Sequence, residues 1–197
     1  MRYQQRKQKR VGSVLLKVVL ALGIAFLLVY YGLSALMREL YPVRYPEIVQ
    51  SASEETGLSE ALIYAVIKTE SGFDPSAESH AGAKGLMQMI PDTFSWIQQK
   101  HDGNVQFEED ALLDPETNIR YGCRVLREMM DWFGDVDTAL CAYNAGAGTV
   151  QRWLSDPAYS SDGKTLDKIP YPETARYVEK INQNRKIYEK LYDFEIE

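Results

Sequence analysis

Residues 61–75 read ALIYAVIKTESGFDP and place one carboxylate, Glu70, where a helix would otherwise carry a hydrophobe. Ile63, Val66 and Ile67 recur at the three-and-four spacing of an amphipathic helix. Glu70 continues the same stripe, because it follows Val66 by four positions and Ile67 by three. The stretch therefore predicts a helix whose buried side ends in a carboxyl group.

The limits of this helix are predicted by Ser59, a good N-cap, and by Gly72 and Pro75, which stop it at about residue 71. Glu70 then lies in the last turn, at the negative end of the helix dipole. Partial desolvation and this dipole would both raise the pKa of Glu70, and a carboxyl group protonated near neutrality can act as a general acid. The alternative is a helix-end glutamate that turns to water.

The rest of the chain is predicted to be mainly α, because capping residues and apolar periodicity recur along it. The predicted helices cover about 46–56, a short stretch from Pro91, 115–133, 137–144, 149–154 and 172–191. A short ribbon within 101–112 is the only strand candidate, and 155–169 reads as a polar loop. In the longest helix the predicted buried side consists of Ile119, Cys123, Leu126, Met130 and Phe133.

Charge is distributed unevenly along the 197 residues. Residues 1–17 hold six of the 22 lysines and arginines and no acid, which leaves 16 basic against 28 acidic residues in the remainder. An acidic domain does not attract nucleic acid, so we expect no nucleic-acid partner. The length suggests one folded domain plus an appendage.

The appendage is predicted to be a membrane anchor. Residues 14–36 read VLLKVVLALGIAFLLVYYGLSAL, long enough as a helix to span a bilayer, with Lys17 as the only charge. The pattern predicts a cytoplasmic basic arm (1–13), a transmembrane signal-anchor (14–37), a linker (38–45) and an extracytoplasmic domain (46–197). The alternative, a cleaved signal peptide, would have a shorter apolar region and a small-x-small site, which does not follow Leu33.

The two cysteines and two histidines carry little chemistry. Cys123 and Cys141 lie in predicted helices on either side of Gly134, where a disulfide is possible but small buried hydrophobes are favoured. His80 and His101 have no ligand-like spacing to other donors. We therefore expect no metal site and no cofactor.

Four segments carry the chemistry: ESGFDP (70–75), AGAKGLMQMIP (81–91), AYNAGAG (142–148) and IPYPETARYV (169–178). In this order and spacing they resemble the soluble lytic transglycosylase family, whose catalytic domain is related to goose-type lysozyme. The resemblance covers about residues 45–191. It implies a lysozyme-like single catalytic domain that acts on peptidoglycan, with Glu70 as the catalytic acid.

The loop that follows Glu70 supplies candidate substrate contacts. Ser79 would hydrogen-bond the substrate or the carboxylate, as a serine at this place does in the family, or it is a turn residue. Gln88 can donate and accept hydrogen bonds at once, which suits acetamido and hydroxyl groups. Met87 offers an adaptable apolar surface for a sugar ring, or it belongs to the core.

The two later segments supply the remaining candidates. Tyr143 can stack on a sugar and Asn144 can bind an acetamido group, although an ordinary helix C-cap would also explain the glycines that follow. The resemblance carries Glu173 over to the saccharide groove and Tyr177 to the neighbourhood of the acid, with Tyr171 near them. The alternative for Glu173 is a favourable charge in the first turn of a helix.

The reaction is predicted from the supply of carboxylates. Most glycosidases need two, and the nearby candidates for the second are Asp74, Glu78 and Asp92. A structural role suffices for Asp74 as a turn residue and for Asp92 in the first turn of a helix. Goose-type enzymes are thought to use further acids beside GLMQ to position water, whereas this chain has apolar Met89 and Ile90 there. This disfavours hydrolysis.

The resemblance therefore implies a membrane-anchored lytic transglycosylase of peptidoglycan. It would cleave the MurNAc-β-1,4-GlcNAc bond without water and leave 1,6-anhydroMurNAc ends, with one glutamate acting first as acid and then as base. The alternatives are a hydrolytic muramidase and a glycan-binding scaffold of a secretion, conjugation or sporulation apparatus. Two histidines are too few for a zinc amidase.

Overall fold

The computed structural model describes the backbone of residues 2–194, and the side chains of residue 17 and of 19–194. It divides into two compact units, the first ending at Pro42 and the second beginning at Val43. The side chains of the predicted basic arm, 1–13, lie outside the described part.

The first unit is one helix, α1 (Arg2–Leu40). It runs without a break through the predicted arm and anchor, because no proline interrupts it before Pro42. Within it, Val19–Leu40 has a mean hydropathy of 2.2 and is long and apolar enough to cross a membrane. None of this stretch is buried within the protein.

The second unit is mainly α, as predicted, and its described residues form no β-ladder beyond two isolated bridges in the loop 71–90. A 3₁₀ turn spans Glu109–Leu113. The helices are α2 (Pro46–Thr56), α3 (Glu60–Glu70), α4 (Pro91–Asp102), α5 (Pro115–Phe133), α6 (Val136–Ala145), α7 (Ala147–Leu154) and α8 (Pro172–Leu191).

Most helix limits follow the capping residues. The Ser59 hydroxyl accepts from the Leu62 amide at the start of α3, and the Asp114 carboxylate accepts from the Thr117 amide at the start of α5. Gly134 ends α5 in the left-handed conformation with φ of 70°. These local contacts confirm the predicted ends to within about two residues.

Helix α3 is the centre of the domain rather than an amphipathic surface helix. All seven residues from Ala61 to Ile67 are buried, so the predicted single stripe is too narrow. α8 packs along α3: Tyr188 stacks on Tyr64 with ring centroids 5.4 Å apart, and the Asn184 amide donates to the Thr69 hydroxyl at 3.0 Å. This packing brings the end of α3 against the first half of α8.

Helix α5 connects the other elements. It packs against α2, α4 and α6. The prediction that Met130 and Phe133 belong to its buried side is wrong, because both side chains are only half-buried. The Arg124 guanidinium joins Glu55 of α2 at 2.6 Å and Asp102 of α4 at 3.1 Å. Burial on several sides explains why one stripe was an incomplete description of this helix.

Two minor predictions have clear outcomes. The ribbon predicted within 101–112 does not form, because the buried Gln98 side chain accepts from the Gln106 and Phe107 amides and donates to the Phe107 carbonyl. These bonds replace those that a ribbon would need. Cys123 and Cys141 are free and buried, as predicted for small hydrophobic residues.

Candidate active site

Glu70 is the last residue of α3 and is half-buried. The Tyr177 hydroxyl of α8 donates to Glu70 Oε1 at 2.6 Å. Burial raises the pKa of Glu70 to about 7, against the opposing effects of the Tyr177 hydrogen bond and the Lys180 charge. The raised pKa predicted from desolvation is thereby confirmed, and the carboxyl group is poised between its two protonation states near neutrality.

A second tyrosine lies near the acid. Tyr143, near the end of α6, donates from its hydroxyl to the Met87 carbonyl at 2.9 Å. Burial, followed by the negative charge of Glu70, holds the pKa of the Tyr143 phenol well above its usual value. The phenol is therefore neutral and can act as a hydrogen-bond donor, and it links α6 to the loop 71–90.

The loop 71–90 is fixed by hydrogen bonds from buried polar groups to its backbone. Asn118 of α5 is fully buried; its oxygen accepts from the Met87 amide at 2.7 Å, and its nitrogen donates to the carbonyls of Lys84 and Leu112. The Ser71 hydroxyl donates to the Leu86 carbonyl at 2.8 Å. Because buried backbone groups need partners, these bonds determine where the GLMQ residues lie.

The predicted loop contacts have different outcomes. Gln88 has φ of 49°. Its side-chain nitrogen donates to the carbonyls of Ala77 and Gly85, whereas its side-chain oxygen has no described partner and could accept from a ligand. The Ser79 hydroxyl accepts from the Ala83 amide at 3.0 Å, and no described hydrogen bond joins it to Glu70. The Met87 side chain is fully buried. The prediction that it offers a surface to a sugar ring is wrong, because α5 packs over it.

The candidates near α8 lie mostly at the surface. Thr174 donates from its hydroxyl to the Asn144 amide oxygen at 2.8 Å and so links exposed Asn144 to the helix that carries Tyr177. Tyr171 is 53% exposed, with its ring edge-on to Trp153 at 4.8 Å between centroids. Glu173 is exposed in the first turn of α8.

The described hydrogen bonds join four of the nine predicted residues in two pairs: the Tyr177 hydroxyl contacts Glu70, and the Tyr143 hydroxyl contacts the Met87 carbonyl. No described contact joins Ser79, Tyr171 or Glu173 directly to Glu70. Sequence reasoning missed the supporting residues Asn118, Ser71, Thr174 and Lys180. A usable signal existed only for Asn118, a polar residue directly before Ile119, the first residue of the predicted buried side of α5.

Other carboxylates near Glu70 in sequence are exposed. Asp74 accepts from the amide and hydroxyl of Ser76, and these hydrogen bonds lower the pKa of its carboxyl group. Glu78 and Asp92 are also exposed. Among residues in the described part, no group of three or more His, Cys, Asp or Glu side chains could hold a metal ion. Among Glu70, Asp74, Glu78 and Asp92, Glu70 is thus the one that is half-buried, and burial raises its pKa to about 7.

We expect the Tyr177→Phe substitution to raise the pKa of Glu70 further, by about one pH unit, because the ionised carboxylate loses a 2.6 Å hydrogen bond. Carboxyl NMR titration of the full chain measures this directly. Tyr159→Phe, at a tyrosine in the loop after α7, is the control and should leave the titration unchanged. An unaltered Glu70 titration in Tyr177→Phe would contradict the assigned contact.

A mainly helical domain with a half-buried acid at the end of its central helix is lysozyme-like. Residues 47–165 match the family model described as Transglycosylase SLT domain, and the chain belongs to this family.

Individual relatives agree with this assignment. The chain is 31% identical to the soluble lytic murein transglycosylase of Escherichia coli (strain K12), over 74% of this chain and 23% of that protein. It is 32% identical to the membrane-bound lytic murein transglycosylase C of Sodalis glossinidius, over 75% of this chain and 47% of that protein. The chain thus spans a quarter to half of the length of these relatives.

Solved structures show the same fold. The 70 kDa soluble lytic transglycosylase of Escherichia coli superposes with a TM-score of 0.70 at 29% identity, covering 78% of this chain and 25% of that one. The lytic transglycosylase Slt of Pseudomonas aeruginosa, solved as an inactive mutant with glutamine in place of a glutamate, superposes with a TM-score of 0.67 at 30% identity. That match covers 77% of this chain and 25% of the Pseudomonas chain.

Proposed function

We propose that this protein is a membrane-anchored lytic transglycosylase of peptidoglycan, with Glu70 as its single catalytic acid and base. The observation that carries the proposal is the raised pKa of Glu70, about 7, in a half-buried position against Tyr177. The names of the relatives support the substrate class. The inactive glutamine mutant of the Pseudomonas relative supports a catalytic glutamate.

The first step is proton donation. Protonated Glu70 gives its proton to the glycosidic oxygen between MurNAc and GlcNAc while the bond to the anomeric carbon breaks. The carbonyl oxygen of the substrate's own N-acetyl group attacks the anomeric carbon, which removes the need for a second protein carboxylate. Glu70 is left ionised, and the Tyr177 hydrogen bond stabilises that charge.

The second step returns the proton. Ionised Glu70 takes the proton of the MurNAc 6-hydroxyl, whose oxygen attacks the anomeric carbon and displaces the N-acetyl oxygen. The product is a 1,6-anhydro ring, no water is consumed, and Glu70 is protonated again. Because both groups belong to one sugar, the attack is intramolecular and gains the advantage of proximity.

Hydrolysis would need a second group to activate water. Asp74, Glu78 and Asp92 are exposed, and the two positions after GLMQ hold two apolar residues, buried Met89 and exposed Ile90. Neither side chain can orient a water molecule as a base. These observations favour the non-hydrolytic reaction over a muramidase.

The other substrate contacts are proposals of the same kind. Asn144 is assigned to an acetamido group. Gln88, through its amide oxygen, and Ser79, through its hydroxyl hydrogen, are assigned to polar groups of the sugars. Tyr171 and Glu173 are assigned to the outer part of the groove, and Tyr143 and Tyr177 to its floor. Exposure of Asn144, Tyr171 and Glu173 supports a role at a surface groove.

The test is mass spectrometry of the fragments that the full chain, in detergent micelles, releases from purified peptidoglycan. We expect fragments one water lighter than hydrolysis products and resistant to borohydride reduction. Reducible, full-mass ends would identify a muramidase instead. No release at all would favour a glycan-binding scaffold.

The proposal includes the topology of the chain. Residues 1–13 are assigned to a cytoplasmic arm, 14–37 to a single membrane span, 38–45 to a linker and 46–197 to the catalytic domain outside the membrane. The apolar helix Val19–Leu40 and the basic residues before it support this orientation. An alkaline phosphatase fused after Glu197 should be active, whereas activity of a β-galactosidase fused there would contradict the orientation.

A further inference from the structure

A pocket of about 380 Å³ opens beside the candidate active site. Its walls come from the start of α4, the second half of α5 and the turn between α6 and α7. Tyr143 and Asn144, two of the predicted substrate-binding residues, also line it. The volume falls within the range of small-ligand sites, about 300–1,000 Å³, and is large enough for one hexosamine ring.

Two tryptophans form one side of this pocket. Trp96 of α4 and Trp132 of α5 pack edge to face, with centroids 5.6 Å apart and an angle of 62° between the rings. Trp132 remains 53% exposed, and Ile90 on the neighbouring wall is 47% exposed. Large apolar side chains grouped at the mouth of a pocket indicate a binding surface, because a ligand that covers them removes their apolar area from water.

The charges around the pocket restrict its ligand. Among the described residues that line it, none is charged. Lys100 lies 5.7 Å from the ring centroid of Trp96 and 5.4 Å from that of Trp132, but it is neutralised by an ion pair with Glu128. An uncharged ligand with an apolar face and a polar edge fits these walls, and a sugar ring has both.

We propose that this pocket binds an N-acetylated sugar ring of the glycan strand, away from the bond that Glu70 cleaves, and that Trp132 is its stacking surface. The inference rests on the proposed function, since it assigns the pocket to the same substrate. The amide oxygen of Asn144 accepts from Thr174, and its nitrogen has no described partner, so the nitrogen is available to donate to the acetamido carbonyl. The groove then extends from Glu70 past Tyr143 to Trp132.

The test measures binding without cleavage. The full chain carrying Glu70→Gln, in detergent micelles, is titrated with the hexamer of β-1,4-linked N-acetylglucosamine, which bears no peptide. We expect Trp132→Ala to weaken binding about tenfold and Trp132→Phe to weaken it much less, because phenylalanine keeps an aromatic face. Leu113→Ala, which removes a 40% exposed hydrophobe outside the pocket, is the matched control and should bind normally.

Each result has a definite meaning once thermal melting shows that the variants fold. Equal binding of the hexamer by Trp132→Ala and the parent would overturn the proposal. A loss seen with peptide-bearing strands but not with the bare hexamer would also overturn it, and would assign the pocket to the stem peptide. Because binding is measured in the Glu70→Gln chain, a Trp132-dependent affinity would survive even if mass spectrometry refuted the transglycosylase reaction.

Discussion

Glu70→Gln is expected to reduce glycan cleavage by about a thousandfold or more while the fold is retained. Glutamine has nearly the same shape, and its oxygen still accepts the hydrogen bond that Tyr177 now gives to Oε1. It cannot, however, donate a proton to the glycosidic oxygen or take one from the 6-hydroxyl. General acid–base catalysis typically raises the rate of a step by a factor of about 10²–10⁴. The measurement is fragment release from purified peptidoglycan.

The matched control is Glu60→Gln, the same chemical change at the other end of the same helix. It should retain activity, since Glu60 lies in the first turn of α3 and Glu70 in the last. Activity retained by Glu70→Gln would remove Glu70 from the acid role. Activity lost equally in both variants would point to the stability of α3 rather than to the chemistry.

Glu70→Gln lowers activity, but at high pH it is expected to raise the free energy of unfolding. Burial raises the pKa of Glu70 from 4.5 to about 7, so between these values the unfolded chain releases a proton that the folded chain keeps. The contribution of Glu70 to stability is therefore fully present below about pH 4.5 and is lost as the pH rises to about 7. Glu70→Gln has no such loss, and at pH 8 it should be the more stable protein, by at most about 3 kcal/mol.

Urea unfolding at pH 4 and pH 8 measures this difference. We expect nearly equal stability of the two proteins at pH 4 and an advantage for Glu70→Gln at pH 8. A stability difference that does not change with pH would show that the pKa of Glu70 is not raised in the folded state.

The second large effect is expected from Gly85→Ala. Gly85 has φ of 75°, and a Cβ atom there would lie closer than 3.0 Å to the Leu112 carbonyl oxygen and to the Asn118 amide. The clash would separate Asn118 from the backbone groups that it pairs with, leaving them buried without partners. We expect a loss of about 3 kcal/mol or more in the free energy of unfolding, together with displacement of the GLMQ residues.

Gly103→Ala provides a matched control for backbone strain. Gly103 has φ of 76°, but a Cβ atom there would have nothing within 4 Å. Its cost should be the left-handed conformation alone, about 1–2 kcal/mol. Urea unfolding of both variants separates the steric term from the conformational one, and equal losses would mean that the loop yields without disturbing Asn118.

Much of the fold could be predicted because its signals are local. A helix start depends on a side chain such as Ser59 or Asp114 that reaches an amide three residues later, and a helix end depends on a glycine such as Gly134. These contacts are complete within one turn. The mainly α class, the limits of most helices and the apolar N-terminal helix were therefore readable from the chain.

Glu70 could be predicted for a similar reason, since a carboxylate on an apolar stripe conflicts with its surroundings wherever the helix packs.

Met87 could not be assigned correctly. Whether a methionine after a tight turn faces a ligand or the core depends on what covers it, and here α5 approaches closely because Gly122 has no side chain; a Cβ atom there would lie within 3.0 Å of Met87.

The residues that hold the site together come from distant parts of the chain. Tyr177 is 107 residues from Glu70, Asn118 is 31 from Met87, and Tyr143 is 56 from Met87. Hydrogen bonds between such positions leave no periodic trace, because Tyr177, Asn118 and Tyr143 are common polar residues in ordinary helices and two of the bonds go to the backbone of Met87.

The sequence by itself determined the helices, the apolar N-terminal segment and the position of Glu70 at a helix end, since propensity, capping and hydrophobic patterning act over a few residues. The family resemblance placed Tyr177 near Glu70, and the tertiary structure gave the hydrogen bond between them. Only the tertiary structure decided that Asn118 supports the loop and that Trp96 and Trp132 line one pocket. Those outcomes depend on how α3, α5 and α8 pack, and packing is set by the whole core at once.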